Sequence, residues 1–88
     1  MDRGVLLEEL KSIISEYLEP SEQSRLNEIT DNSSFIEDIH MDSIDMVDAV
    51  IKVENKYGIS IKNETIPKLN TVGKCLDAIQ EKLAEKGE

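Results

Sequence analysis

A chain of 88 residues has room for one small domain whose core must be modest and well patterned. Its formal charge of −9 argues against nucleic acid and anionic membranes as partners, because both are held by Lys and Arg, and favours a basic protein partner. The single cysteine, Cys75, excludes an intramolecular disulfide, and no apolar run reaches the roughly 20 residues of a membrane span. Met1-Asp2-Arg3-Gly4 leads into an amphipathic pattern and not a signal peptide, so a reducing cytoplasm is expected. The chain is expected to be a monomer.

Leu6, Leu10, Ile13, Ile14 and Tyr17 recur at helical spacing, which predicts a helix over about residues 3–18, ended by Pro20. Residues 19–41 read as a long connection rich in Ser, Asn, Asp and Thr. Leu26, Ile29, Phe35, Ile36 and Ile39 should pin it to the core. A second helix is predicted over 43–57, with Asp42 as its cap, Asp45 favourably placed in the first turn and Gly58 as its stop. Its apolar stripe is read as Ile44, Val47, Val50, Ile51 and Tyr57. Ile59-Ser60-Ile61 alternates but has no partner strand, so it is an extended link. Residues 64–68 suit a single helical turn, and Thr71 caps a last helix with Val72, Cys75, Leu76, Ile79 and Leu83 on one face. The fold class is all-α: a small bundle of three main helices with a short, irregular one before the last.

Sites for common chemistry are missing. The sequence holds no nucleophile elbow, no phosphate-binding glycine loop and no Cys-x-x-Cys pair. His40 precedes Ser43 by three residues, but no oxyanion hole can be recognised. Asp38, His40 and Asp42 alternate on a loop, where solvated polar side chains are the simpler reading than a metal site. Cys75 sits among Val72, Leu76 and Ile79, as a core thiol would. The informative stretch runs from Glu37 to Asp48, with five carboxylates, no Lys or Arg, and Ser43 where loop turns to helix.

Glu37-Asp38-Ile39-His40-Met41-Asp42-Ser43-Ile44-Asp45 resembles the signature of acyl carrier proteins, roughly Glu-Asp-Leu-Gly-x-Asp-Ser-Leu-Asp, whose specific part is the Asp-Ser pair. The likeness extends from Phe35 through Val47, Val50, Glu54, Tyr57, Ile59 and Ile61 to Thr71-Val72. It implies that residues 1–88 form one carrier domain that is not itself an enzyme and needs no metal. Ser43 would take 4′-phosphopantetheine from coenzyme A through a phosphopantetheinyl transferase, and the thiol of that arm would carry acyl groups as thioesters. Asp42 and Asp45 would help the transferase engage. Asp48 and Glu54 would meet basic docking patches on biosynthetic enzymes, with Ile44, Met46 and Ile51 giving apolar contact. Phe35, Val47, Val50, Ile61, Ile66 and Leu69 would shelter an acyl chain.

The sequence departs from that pattern at His40, where the family usually has glycine, and at Lys52, Asn55 and Lys56, which reduce the acidity of the second helix. Pro67 falls in the short helix before the last. The resemblance implies partner enzymes of fatty-acid or related biosynthesis. A specialised carrier for polyketide, D-alanyl or unusual-lipid synthesis, or an unmodified acidic interaction module, are the alternatives.

Overall fold

The first helix, α1 (Arg3–Ile14), starts where the Asp2 carboxylate accepts from the Gly4 amide, and it buries Leu6, Leu10, Ile13 and Ile14. The computed structural model describes residues 2–87. The reading of 1–88 as one domain therefore includes Met1 and Glu88, which lie outside the described residues. The α-helix ends four residues earlier than the periodicity predicts. Ser15–Tyr17 tighten into a 3₁₀ turn, and Leu18 turns extended and enters the core. The Gln23 carboxamide donates to the carbonyls of Ser15 and Leu18, satisfying acceptors that the helix end leaves open. Glu19, the residue before Pro20, is extended as the proline requires. Pro20 is also the first residue of a 3₁₀ helix, Pro20–Glu28, where its missing N–H costs no hydrogen bond.

That 3₁₀ helix lies inside the stretch read as a plain connection. Ile29, Phe35, Ile39 and Met41 anchor the rest of the stretch in the core, while Ile36 stays half-exposed. The connection also holds the start of α3 (Val72–Glu85). The Ser33 and Asp31 carbonyls accept from the Val72 and Gly73 amides at 2.9 and 2.8 Å, and the Thr71 hydroxyl accepts from the Lys74 amide. A Cβ on Gly73 would stand 2.9 Å from the Asp31 carbonyl oxygen, so the close approach requires glycine. Arg3 ties the same corner together, donating to Asp31, Asp77, Gln80 and the Gly73 carbonyl.

The second main helix, α2 (Ser43–Tyr57), has the predicted bounds and ends at Gly58, whose φ of 64° is left-handed. Its buried side is Met46, Ala49, Val50 and Val53. The predicted stripe is corrected accordingly: Ile44, Val47 and Ile51 are 78, 44 and 48 % exposed. The short helix is 3₁₀, Asn63–Lys68, with Pro67 inside it, where an amide able to close an α-helical turn is lacking. α3 buries every residue expected of it: Val72, Cys75, Leu76, Ile79 and Leu83. Helix α1 packs against both α2 and α3. It runs antiparallel to α2, because Glu9 meets Tyr57 while Glu16 meets Lys52. Among the described residues one isolated bridge, Ser34 to Thr71, is the only extended pairing.

Candidate functional site

The loop before α2 is built by its own polar side chains. The Asp38 carboxylate accepts from the Ser34 amide at 2.7 Å, and the Ser34 hydroxyl accepts from the Glu37 amide at 3.1 Å. The Ile39 and Met41 amides donate to the Ser34 and Phe35 carbonyls at 3.0 and 2.8 Å. Ile39 and Met41 are both buried, and the residue between them faces outward. That residue is His40, at φ 69°. Two residues on, Asp42 caps α2 and Ser43 opens it, exposed, at the positive end of the helix dipole.

Two apolar surfaces meet at Ser43. One is a groove of about 360 Å³ between α2 and the short 3₁₀ helix, lined by Phe35, Ile36, Met46, Val47, Ile66, Pro67 and Leu69, with Asn63 and Asn70 at its polar positions. The other is the outer strip of α2: Ile44, Val47 and Ile51, beside Asp48. Ser43 borders both.

The structure redistributes the residues singled out from sequence. Phe35, Val47, Ile66 and Leu69 line the groove, whereas Val50 and Ile61 are buried elsewhere in the core and do not. Met46, expected on the outer side of α2, is 7 % exposed, because it falls on the helix's inward face and floors the groove. Asp42 and Asp45 form a capping box, each carboxylate accepting from the other's amide. Asp48 accepts from the Tyr17 hydroxyl at 2.5 Å and pairs with Lys52 at 3.6 Å. The Tyr17 hydroxyl holds the Asp48 carboxyl below its usual range, with Lys52 helping. Lys52 also pairs with Glu16 at 2.8 Å. Glu54 accepts from the Ile61 amide at 2.7 Å and so fixes the link after α2. Thus Asp48 and Glu54, expected to reach outward, also hold the fold. Ile36, Asn63, Pro67 and Asn70 were not singled out as lining. Ile36 follows Phe35 directly, but nothing in its spacing marks it as a groove wall.

Asp38 and Asp42 are engaged with backbone amides, and among the described residues no three metal-ligating side chains come together. Burial pushes the Cys75 thiol up to about 12, where it is neither nucleophile nor ligand at neutral pH. A larger depression of about 500 Å³ mixes Arg25 with Glu28 and Asp38 and does not reach Ser43. Among the described residues no helix is long and apolar enough to cross a membrane.

Residues 8–79 match the family described as the phosphopantetheine attachment site. The chain belongs to the acyl carrier protein family. Its relatives include the meromycolate extension acyl carrier protein of Mycobacterium leprae, 37 % identical over 83 residues that make up 94 % of this chain and 71 % of the relative. The crystal structure of an acyl carrier protein from Thermotoga maritima superposes with a TM-score of 0.81 at 29 % identity, covering 97 % of this chain and 94 % of the other. The solution structure of hexanoyl acyl carrier protein from the actinorhodin polyketide synthase of Streptomyces coelicolor gives 0.75 at 27 % identity, covering 89 % and 90 %. Acyl carrier proteins carry acyl groups on phosphopantetheine and are not enzymes. Membership also implies dealings with a phosphopantetheinyl transferase and with biosynthetic enzymes.

Proposed function

We propose that Ser43 is the attachment point of 4′-phosphopantetheine and that this carrier presents acyl thioesters to cytoplasmic biosynthetic enzymes with basic docking patches. The observation that carries it is the position of Ser43: an exposed hydroxyl at the first residue of α2, on the ridge between an apolar groove and an apolar outer strip. The residues present fit the group. A phosphodiester on Ser43 would sit at the helix N-terminus, which favours negative charge, and no buried side chain need move to admit it. When bound, the arm supplies a thiol that carries the acyl group as a thioester.

The chain's own residues then supply two alternative seats. The groove side of Phe35, Val47, Ile66 and Leu69 shelters the first carbons of a cargo, each buried methylene contributing roughly 0.8 kcal/mol. The outer strip of Ile44, Val47 and Ile51 offers a partner apolar contact, with Asp42, Asp45 and Asp48 around it as the acidic collar. Fatty-acid synthesis is the reading retained for the pathway. The likeness to a meromycolate carrier and to a polyketide carrier supports a specialised pathway as the second reading. A monomer is the state proposed.

Incubation with coenzyme A and a broad-specificity transferase should add about 340 Da, a figure set by the composition of the arm. An unchanged mass for the wild type, or a gain that survives Ser43→Ala, would overturn the assignment and leave an unmodified module.

A further inference from the structure

We propose that His40 is a specificity-determining residue for the transferase that loads the arm, its imidazole forming part of the surface that the enzyme reads; this rests on the assignment of Ser43. The turn, and not the side chain, demands the backbone conformation. Ile39 and Met41 are locked into the core on either side, and their amides are bonded to Ser34 and Phe35, which holds the residue between them at φ 69°. Glycine would adopt this at no steric cost and asparagine at little, whereas histidine, commoner here than most L-residues, still pays up to roughly 1–2 kcal/mol. Histidine gains no polar contact with the described residues in exchange. Its ring is exposed and makes no hydrogen bond or ion pair with any described residue. Strain without an internal return points to an external one.

His40 stands three residues before Ser43, in a loop whose Glu37, Asp38 and Asp42 are also exposed, on a base that the two buried neighbours hold still. The backbone under the ring is already fixed, so binding has only the side-chain rotamer to order. The ring suits a recess carrying a hydrogen-bond acceptor, next to the basic residues that would meet the carboxylates.

The test is steady-state loading from coenzyme A by each transferase encoded in the same genome, using wild type, His40→Gly and His40→Asn, with Ser43→Ala as the blank. His40→Gly should melt higher than wild type, yet its KM as a protein substrate should rise about three- to tenfold, the loss of one interfacial hydrogen bond. His40→Asn, which keeps a donor and tolerates the turn, should recover part of that loss. A KM for His40→Gly within about twofold of wild type with every transferase would overturn the inference alone. A wild type that gains no mass would remove the assignment of Ser43 and this inference with it.

Discussion

Asp42 and Asp45 cap each other across the first turn of α2: the Asp42 carboxylate accepts from the Asp45 amide at 2.8 Å, and the Asp45 carboxylate accepts from the Asp42 amide at 3.3 Å. The two acids that flank Ser43 are thus parts of the helix start as well as charges beside it. Asp42→Ala should cost about 1 kcal/mol in urea unfolding, as loss of an N-cap does, and Asp42→Asn should cost much less because its amide oxygen still accepts. Equal losses for both would show that charge, and not the cap, holds this turn. Any slower loading of an Asp42 or Asp45 variant must be read after that stability change is removed.

Tyr17 and Asp48 make a second polar joint, between the 3₁₀ turn that follows α1 and the middle of α2. The Tyr17 hydroxyl lowers the Asp48 carboxyl below 3.8, so this part of the stability is present above pH ~4 and fades as pH falls through the lowered value. Burial and then the Asp48 bond raise the Tyr17 phenol above 10.0, so its part is present below pH ~10 and fades as pH rises through the raised value. The stability gap between wild type and Tyr17→Phe should therefore be flat from about pH 5 to 9 and narrow at both ends. A gap independent of pH from acid to alkali would mean that the hydroxyl contributes nothing through Asp48.

Ile44 and Met46 separate docking from folding. Met46→Ala should cost about 2–5 kcal/mol, as buried truncations do. Ile44→Ala, at a side chain 78 % exposed, should change stability by less than about 0.5 kcal/mol. On the proposed docking strip, Ile44→Ala should nonetheless weaken binding of a partner synthase measured by calorimetry. Unchanged affinity for Ile44→Ala and Ile51→Ala together would take the strip out of the interface.

That pair also shows where sequence reading ends. Helix α2 carries two apolar stripes, one through Met46, Ala49, Val50 and Val53 and one through Ile44, Val47 and Ile51, both at helical spacing. Period alone cannot say which of them is covered, and the larger side chains of the outer stripe mislead. For α3 only one stripe exists, and the sequence reads it without ambiguity. The 3₁₀ helix Pro20–Glu28 has no apolar stripe at all, only a half-buried Leu26, so nothing in its composition distinguishes it from a loop. The bonds of Asp48 to Tyr17 and of Glu54 to Ile61 join residues far apart or past a turn, and an acidic side chain in a sequence looks free until its partner is placed beside it.

Gly73 offers a test of the corner that holds α3. In an exposed helix, Gly→Ala would gain about 1 kcal/mol in propensity. Here the added methyl would meet the Asp31 carbonyl oxygen at 2.9 Å and the Asp31 Cβ at 3.2 Å. Gly73→Ala should instead destabilise by about 1–3 kcal/mol, the range for overpacking. A more stable variant would mean that the connection over residues 30–34 yields freely.

Acyl loading should raise the melting temperature of the holo form, and more so for longer chains up to the capacity of the groove. A ligand that binds only the folded state stabilises it, and a tethered one has a high effective concentration. The groove of about 360 Å³ opens beside Ser43 and is walled on one side by the short 3₁₀ helix. That helix buries none of its residues fully, so it can give way at less cost than α2 or α3. Solution spectra of holo and acyl forms should show shifts at Phe35, Val47, Ile66 and Leu69 that grow with chain length, while Val50 and Ile61, buried away from the groove, move less. Large shifts at Val50 and Ile61 would mean that the cargo parts α2 from the core instead of entering the groove. Shifts confined to Ile44, Ile51 and the surroundings of Ser43, with no gain in melting temperature, would mean that the chain lies along the outer strip and leaves the groove empty.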